Sequence, residues 1–263
     1  MRRRSKCAAL PLVPMLAAVA LSLPTMASAQ VNIEQLRRDS TDRGVSGSLG
    51  FDLAFRTGNV DIVKIDVATR LDYAVAHFRT FVAAGGDFGW ESGNAFSSEA
   101  ILHVRQVFRS EARAQPELFE QLNYDKLRAL TFRAIFGGGM RFTLLRAGGS
   151  GLWFGTGYMY EREHLDLPAG ALHPDRTSSH RWSNYVSARV GLADETGLVW
   201  TVYAQPRFDD FADIRVLADT RLVVNVSRHV GLVNSFLLRW DSGPPDEIEA
   251  LDTTLRTGLR ISF

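Results

Sequence analysis

Apolar and polar residues alternate along most of this chain. From Gly44 to Phe263 the alternation comes in runs of roughly ten to fourteen residues separated by turn residues, as in antiparallel strands that cross a membrane. The last run is the clearest, with Leu255, Leu259, Ile261 and Phe263 on one face and Arg256, Gly258, Arg260 and Ser262 on the other. Because a β-strand has a period of two, one face suits lipid and the other suits water.

The alternation predicts an all-β fold, an antiparallel transmembrane β-barrel of about twelve strands with up-and-down topology, and bacterial barrels have even strand numbers. The predicted strands lie near residues 45–57, 63–73, 77–86, 96–109, 117–126, 131–144, 151–162, 180–192, 197–208, 213–227, 230–241 and 255–263. We expect the last strand to pair with the first, because an open edge in lipid would leave backbone groups without hydrogen bonds.

A water-soluble β-sandwich also shows alternation, but the lengths of the connections favour the barrel. Three connections are short, namely Arg146 to Ser150, Ala193 to Thr196 and Ser227 to Val230. Two are long, namely Glu163 to Ser179 and Ser242 to Ala250. Short turns at one end and long loops at the other are typical of outer-membrane barrels.

The residues on the two faces also favour the barrel. The polar face is highly charged, and burying so many ions in a dry core would cost several kcal/mol each. The apolar face carries aromatic rings near strand ends, where they suit the membrane interface: Tyr158, Tyr160, Trp182, Trp200 and Trp240.

The N-terminal segment has the features of a secretory signal peptide. A basic stretch at residues 2–6 precedes an apolar stretch too short to span a membrane, and Ala27 and Ala29 frame a small-x-small cleavage site. We therefore divide the chain into a signal peptide (1–29), a periplasmic N-terminal tail or short helix (30–43) and an outer-membrane β-barrel (44–263). This division predicts a protein of the bacterial outer membrane.

Cleavage of this leader would change the charge and the chemistry of the chain. The full sequence has 30 Lys+Arg and 29 Asp+Glu, and losing the four basic residues of the leader leaves 26 − 29 = −3. With no basic tract, we expect no nucleic-acid partner. The leader also contains Cys7, the single cysteine, so the mature chain would have no disulfide, thiolate metal site or thiol nucleophile.

The polar face predicts a charged lumen with an excess of arginine. The residues that we expect to line it are Arg133, Arg141, Arg189, Arg221, Arg239, Arg256, Arg260, Asp52, Asp66 and Asp219. Such a lumen could favour anions, or its arginines could pair with carboxylates on neighbouring strands and fill the interior. A barrel of about twelve strands lies between those that side chains fill and those that leave an aqueous channel, so size does not decide.

Candidates for catalysis and metal binding are few. Ser178, Ser179 and His180, with Asp175 nearby, lie in the predicted long loop, and neighbours in a loop do not make a catalytic triad. The histidines and aspartates of that loop match no metal-ligand spacing. We expect neither an enzyme nor a cofactor, and we interpret Gly137 to Gly139, in the middle of a strand, as a site of curvature or close packing.

Several short segments together resemble a known family. They are Val31-Asn32-Ile33-Glu34 with Leu36-Arg37, Thr57-Gly58-Asn59, Gln205-Pro206 followed by Asp213-Ile214-Arg215, and Trp240-Asp241-Ser242-Gly243-Pro244-Pro245. In order and spacing they resemble the YdiY-like family of salt-induced outer-membrane proteins, a domain of unknown function. The resemblance covers nearly the whole mature chain and implies an outer-membrane barrel. It implies no activity.

These observations support a porin-like channel for small solutes, favouring anions, with a link to osmotic or envelope adaptation that only the family's name implies. The alternatives are a closed structural or surface-binding barrel and, more remotely, an outer-membrane lipid hydrolase. The expected partners are outer-membrane lipids, periplasmic chaperones, the outer-membrane assembly machinery and small anionic solutes. Leu259, Ile261 and Phe263 resemble the C-terminal signal that this machinery recognises.

Overall fold

The computed structural model describes residues 43–56, 61–108, 112–193 and 195–262. Within these ranges the chain forms twelve strands and one 3₁₀ turn at Lys126–Arg128. The strands are β1 (Gly44–Arg56), β2 (Ile62–Ala74), β3 (Phe78–Glu91), β4 (Asn94–Phe108), β5 (Ala114–Asp125), β6 (Leu130–Ala147), β7 (Ser150–Leu165), β8 (Arg176–Ala193), β9 (Thr196–Pro206), β10 (Ile214–Asn225), β11 (Val230–Asp241) and β12 (Leu251–Ser262). No helix in the described ranges is long and apolar enough to cross a membrane.

Every strand pairs antiparallel with its neighbours in the sequence, and β12 closes the sheet onto β1. At the closing seam Leu49 is opposite Ile261 and Phe51 is opposite Leu259. The prediction of a closed twelve-stranded antiparallel barrel is therefore confirmed. Closure satisfies the backbone groups that an open edge would expose.

The barrel buries its charged side chains and exposes its apolar ones, the reverse of a soluble protein. Arg70 and Asp219 point inward and are 2% and 1% exposed. Phe51 and Leu53 on β1 point outward and are 49% and 47% exposed. This inversion stabilises the barrel only when the outer face lies in lipid, where exposed apolar groups cost nothing.

The connections differ in length between the two ends of the barrel. The turn between β6 and β7 is Gly148-Gly149, and the start of β1 and the end of β12 lie at this same end. The long connections 166–175 and 242–250 lie at the opposite end. By the general rule for outer-membrane barrels, the end with short turns is periplasmic and the end with long loops is extracellular.

Several strands extend further than the alternation predicted, and β3 and β8 are two examples. β3 continues to Glu91 because Gly85, Gly86 and Gly89, which interrupt the apolar pattern, still pair with β4 through their backbone. β8 begins at Arg176, so that Ser178 to His180 lie in a strand and the loop before it is shorter than predicted. The first residues of β8, Arg176 to Ser179, are polar on both faces, so period-two alternation does not mark them.

The glycine cluster of β6 allows its backbone to approach β7 closely. A Cβ atom placed on Gly139 would overlap the carbonyl oxygen of Thr156, and one placed on Gly157 would overlap that of Gly138. This geometry agrees with the interpretation of close packing made from the sequence.

Candidate functional site

One part of the lumen is filled by an ion-pair network around Glu161 of β7, which is 1% exposed. Arg133 of β6 contacts its carboxylate, Arg215 of β10 does so at 2.5 Å, and Arg181 of β8 lies 3.5 Å away. Since β7 and β10 are not neighbours in the sheet, the pair between Arg215 and Glu161 bridges the lumen.

Further carboxylates complete this network. Arg215 also donates to Glu163 at 2.9 Å and to Asp241 at 2.8 Å, and Arg181 donates to Asp213 at 3.0 Å. Buried ions are tolerated when each has close partners of opposite charge, because the attraction and the hydrogen bonds offset desolvation. The network therefore forms a charged bridge near the extracellular ends of these strands.

A second set of side chains fills the lumen nearer the periplasmic end. The hydroxyl of Tyr185 on β8 donates to Glu117 on β5 at 3.1 Å, again across strands that are not adjacent. Arg105 donates to the same carboxylate at 3.1 Å. Arg141 lies 4.7 Å from the centre of the Trp153 ring, a favourable cation–π distance.

The other side of the lumen contains a cavity of about 250 Å³, bounded by β1 to β4 and β10 to β12. Part of its wall consists of small residues, including Ser48, Gly50, Ala83 and Gly258. Because a liquid water molecule takes about 30 Å³, the cavity has room for several waters or one small solute. Thus the lumen has a filled side and an open side.

Charges of opposite sign lie on different parts of the cavity wall. Carboxylates dominate on β1 to β4, and arginines dominate on β10 to β12. Arg256 connects the two parts, with Asp66 at 3.0 Å and Asp87 at 3.1 Å, and Lys64 lies 3.0 Å from Asp87. A solute in the cavity would therefore contact both signs of charge.

The structure places the predicted lumen residues as follows. The cavity is lined by Asp52, Asp66, Asp219, Arg221, Arg239, Arg256 and Arg260. Arg133 and Arg141 are buried in the filled side. Arg189 is on the inward face of β8, two residues from the buried Ser187, and is half-buried.

Some lumen residues were missed by the sequence analysis. Asp87 and Glu163 lie just beyond the predicted ends of their strands, and Arg181 and Glu117 lie near predicted starts. Continuing the alternation by one residue would have found Asp87 and Glu163, and Arg181 and Glu117 already have the inward parity of their predicted strands.

Among the residues of the predicted assembly signal, Leu259 and Ile261 point outward and are exposed. Phe263 lies outside the described residues, as do the predicted cleavage site at Ala27 and Ala29 and the chain up to residue 42.

The predicted loop candidates for catalysis lie on a strand and face opposite ways. Ser179 is buried inside the barrel, whereas Ser178 and His180 point outward. Ser178 accepts a hydrogen bond from Tyr160, and His180 Nδ1 lies 2.5 Å from the Tyr158 hydroxyl. No group of three or more possible metal ligands occurs within the described residues.

The extracellular loops are tied to each other by hydrogen bonds. The backbone N–H of His173 donates to Asp246 at 2.6 Å, which links the loop after β7 to the loop after β11. This hydrogen bond holds the pKa of the Asp246 carboxyl below its usual value. In the loop after β9, Arg207 pairs with Asp209 and Asp213 and lowers the pKa of the Asp209 carboxyl.

The barrel is closed and antiparallel, its outer face is apolar and its lumen is charged, and it has short turns at one end and long loops at the other. Together these features define a bacterial outer-membrane β-barrel protein. The family model described as "Protein of unknown function, DUF481" matches residues 48–263. The chain belongs to this family, that of the YdiY-like outer-membrane proteins, so the resemblance found in the sequence is confirmed.

Several solved structures have a similar fold. The NanC porin is 11% identical, with 82% of this chain and 97% of that chain covered and a TM-score of 0.46. The translocator domain of the autotransporter NalP from Neisseria meningitidis is 10% identical, with coverage of 86% and 90% and a TM-score of 0.43. The β domain of the Bordetella autotransporter BrkA is 12% identical, with coverage of 84% and 100% and a TM-score of 0.41. No curated protein matches the chain.

Proposed function

We propose that this barrel is a narrow channel for small solutes, and that the solutes pass along the open side of the lumen. The observation that carries the proposal is the cavity of about 250 Å³ beside the ion-pair network. Small residues on β1 and β3 leave this space, whereas ion pairs and aromatic rings fill the opposite side. A channel of this kind performs no chemistry on its solute and requires no cofactor.

The preferred solute is a small anion. Arginines lie towards the periplasmic ends of several strands, where fewer carboxylates accompany them: Arg79, Arg141, Arg189, Arg221 and Arg260. A positive segment in a pore of low dielectric constant raises the local concentration of anions. The opposite charges of the cavity keep the preference moderate.

Planar-bilayer recordings on refolded protein test the proposal. We expect a small conductance with a preference for anions at low salt, and the preference weakens as added salt screens the charges. The double variant Arg221→Gln/Arg260→Gln should lose most of the preference, whereas Arg162→Gln, a matched control on the outer face of β7, should keep it. Cation selectivity of the wild-type channel would show that the carboxylates govern permeation.

A closed barrel without conductance is the second candidate, and the cross-lumen pair of Arg215 and Glu161 favours it. In that case the wild type conducts no current. The variant Arg215→Ala, which removes the bridge from β10 to β7, should then open a measurable conductance. Conductance in the wild type at the outset would exclude this candidate.

The cellular context that we propose follows from the location of the barrel. Its solvent is outer-membrane lipid, periplasmic chaperones deliver it unfolded, and the outer-membrane assembly machinery inserts it. A role in osmotic or envelope adaptation is supported by the family's name alone, and slower growth of a deletion strain at high salt, restored by the wild-type gene, would support it. A strain that lacks the gene and grows normally at every salt concentration would contradict it.

A further inference from the structure

An acidic side chain lies in the middle of the outer face of β5. Glu120 is exposed and is equally far along the strand from Pro116, near the periplasmic end, and Tyr124, near the extracellular end. Its outward neighbours on the same strand are Leu118 and Leu122, which are both exposed. The residues opposite it are the exposed Phe136 on β6 and Val104 on β4, so its direct cross-strand neighbours are apolar.

A carboxyl group in this position is costly if only lipid covers it. Within the described residues the side chain of Glu120 makes no hydrogen bond and no ion pair. Ionisable residues at membrane depth are rare and are found facing partners or water. This part of the outer face of β5 therefore calls for a partner that donates hydrogen bonds.

The same barrel carries donors on its outer face, on β7 and β8. Trp182 Nε1 donates to Thr156 Oγ1 at 2.8 Å, and Thr156 Oγ1 donates to Asn184 Oδ1 at 2.8 Å. Next to them Tyr158 contacts His180 at 2.5 Å. The Asn184 amide donates one N–H to the Trp182 carbonyl at 3.3 Å and has a second N–H to offer.

The two surfaces lie at a similar height in the membrane. Residues paired from one strand to the next form a line across the sheet. The line that starts at Ala114, at the periplasmic end of β5, ends at Leu238, near the extracellular end of β11. Such lines therefore rise towards the extracellular side between β5 and β11. The line through Glu120 meets β8 at His180. The position on β8 level with Glu120 is therefore nearer the periplasm, where Trp182 and Asn184 lie.

The angle between the two surfaces suits a closed ring. Twelve strands divide the circumference into steps of about 30°, so β5 and the boundary between β7 and β8 are about 75° apart. The two contact faces of a subunit are about 60° apart in a ring of three and about 90° apart in a ring of four. An interface between unlike faces closes at such angles.

We propose that the barrel assembles with copies of itself into a ring of three or four, in which the outer face of β5 docks on the outer face of β7 and β8 of the next copy. Glu120 then accepts a hydrogen bond from the second N–H of Asn184 on that copy, whose side chain Thr156 and Trp182 hold in place. A second copy is the occupant because this chain supplies the complementary donors at the required height and angle.

Cysteine cross-linking in isolated outer membranes tests this assembly, since the single native cysteine, Cys7, lies in the predicted leader. The double variant Leu118→Cys/Val186→Cys places one thiol beside each surface and leaves Glu120 intact. With a short bismaleimide we expect covalent species up to three or four chains. The matched control Leu53→Cys/Leu222→Cys has two outward thiols three strands apart on the other side of the barrel and should remain monomeric.

The carboxylate is tested in the same background. Glu120→Leu should abolish the cross-linked species, while Glu120→Gln, which can still accept a hydrogen bond, should retain part of them. Three outcomes would overturn the proposal: a yield no higher than that of the control pair, a yield unaffected by Glu120→Leu, or dimers from Leu118→Cys alone, which indicate a two-fold interface. An adduct with a protein of different mass would also overturn it and assign the face to another partner.

Discussion

Neutralising Glu161 is the sharpest test of the ion-pair network that fills part of the lumen. In Glu161→Gln the side chain keeps its shape, but Arg133, Arg181 and Arg215 lose the carboxylate on which they converge. Removing one partner of a buried ion pair costs about 3–5 kcal/mol, because a charge is left uncompensated.

The structure places the expected cost at the lower end of that range. Each arginine keeps a second carboxylate, since Arg133 lies 3.3 Å from Glu163, Arg181 lies 3.0 Å from Asp213 and Arg215 lies 2.8 Å from Asp241. We therefore expect Glu161→Gln to lower the free energy of unfolding by about 3 kcal/mol.

The assay is reversible urea unfolding of the barrel in lipid vesicles. Glu249→Gln, in the exposed extracellular loop after β11, is the matched control and should change the free energy of unfolding by less than about 0.5 kcal/mol. In a double-mutant cycle, Glu161→Gln and Arg215→Gln should be non-additive by about 0.5–3 kcal/mol. Equal effects of Glu161→Gln and Glu249→Gln, or strict additivity in the cycle, would show that the network does not stabilise the barrel.

Three further predictions concern facing, packing and assembly. Leu53→Arg and Leu222→Arg, on the lipid side, should each lower the free energy of unfolding by about 2–4 kcal/mol in the same urea titration. Ser48→Arg, which points into the cavity, should lower it clearly less. Equal losses at all three positions would contradict the assignment of faces. Gly139→Val should prevent β6 and β7 from pairing closely and lower the yield of folded barrel, read from its resistance to protease, and a normal yield would contradict the close approach. Phe263→Asp should accumulate in the periplasm, and fractionation that finds wild-type levels in the outer membrane would refute the assembly signal.

The number of strands, their order and the closing pair could be predicted from the sequence. The physical reason is that the alternation along a strand also determines which face of the sheet each side chain occupies. Once Arg256 and Arg260 are assigned to the inside, Leu259 and Ile261 must point outward. Lipid on one face and water on the other make that contrast strong in every membrane-spanning segment.

Only the tertiary structure decided which charges meet across the lumen and which side remains open. Arg215 and Glu161 are 54 residues apart and lie on strands that do not touch, and their contact depends on how the tilted sheet closes and how far each side chain reaches. The carboxylate of Glu120 was also overlooked, because one polar residue on an apolar face hardly changes the alternation. Periodicity along a strand determines which face a side chain occupies, whereas contacts across the barrel depend on three-dimensional closure, which no single segment of the sequence contains.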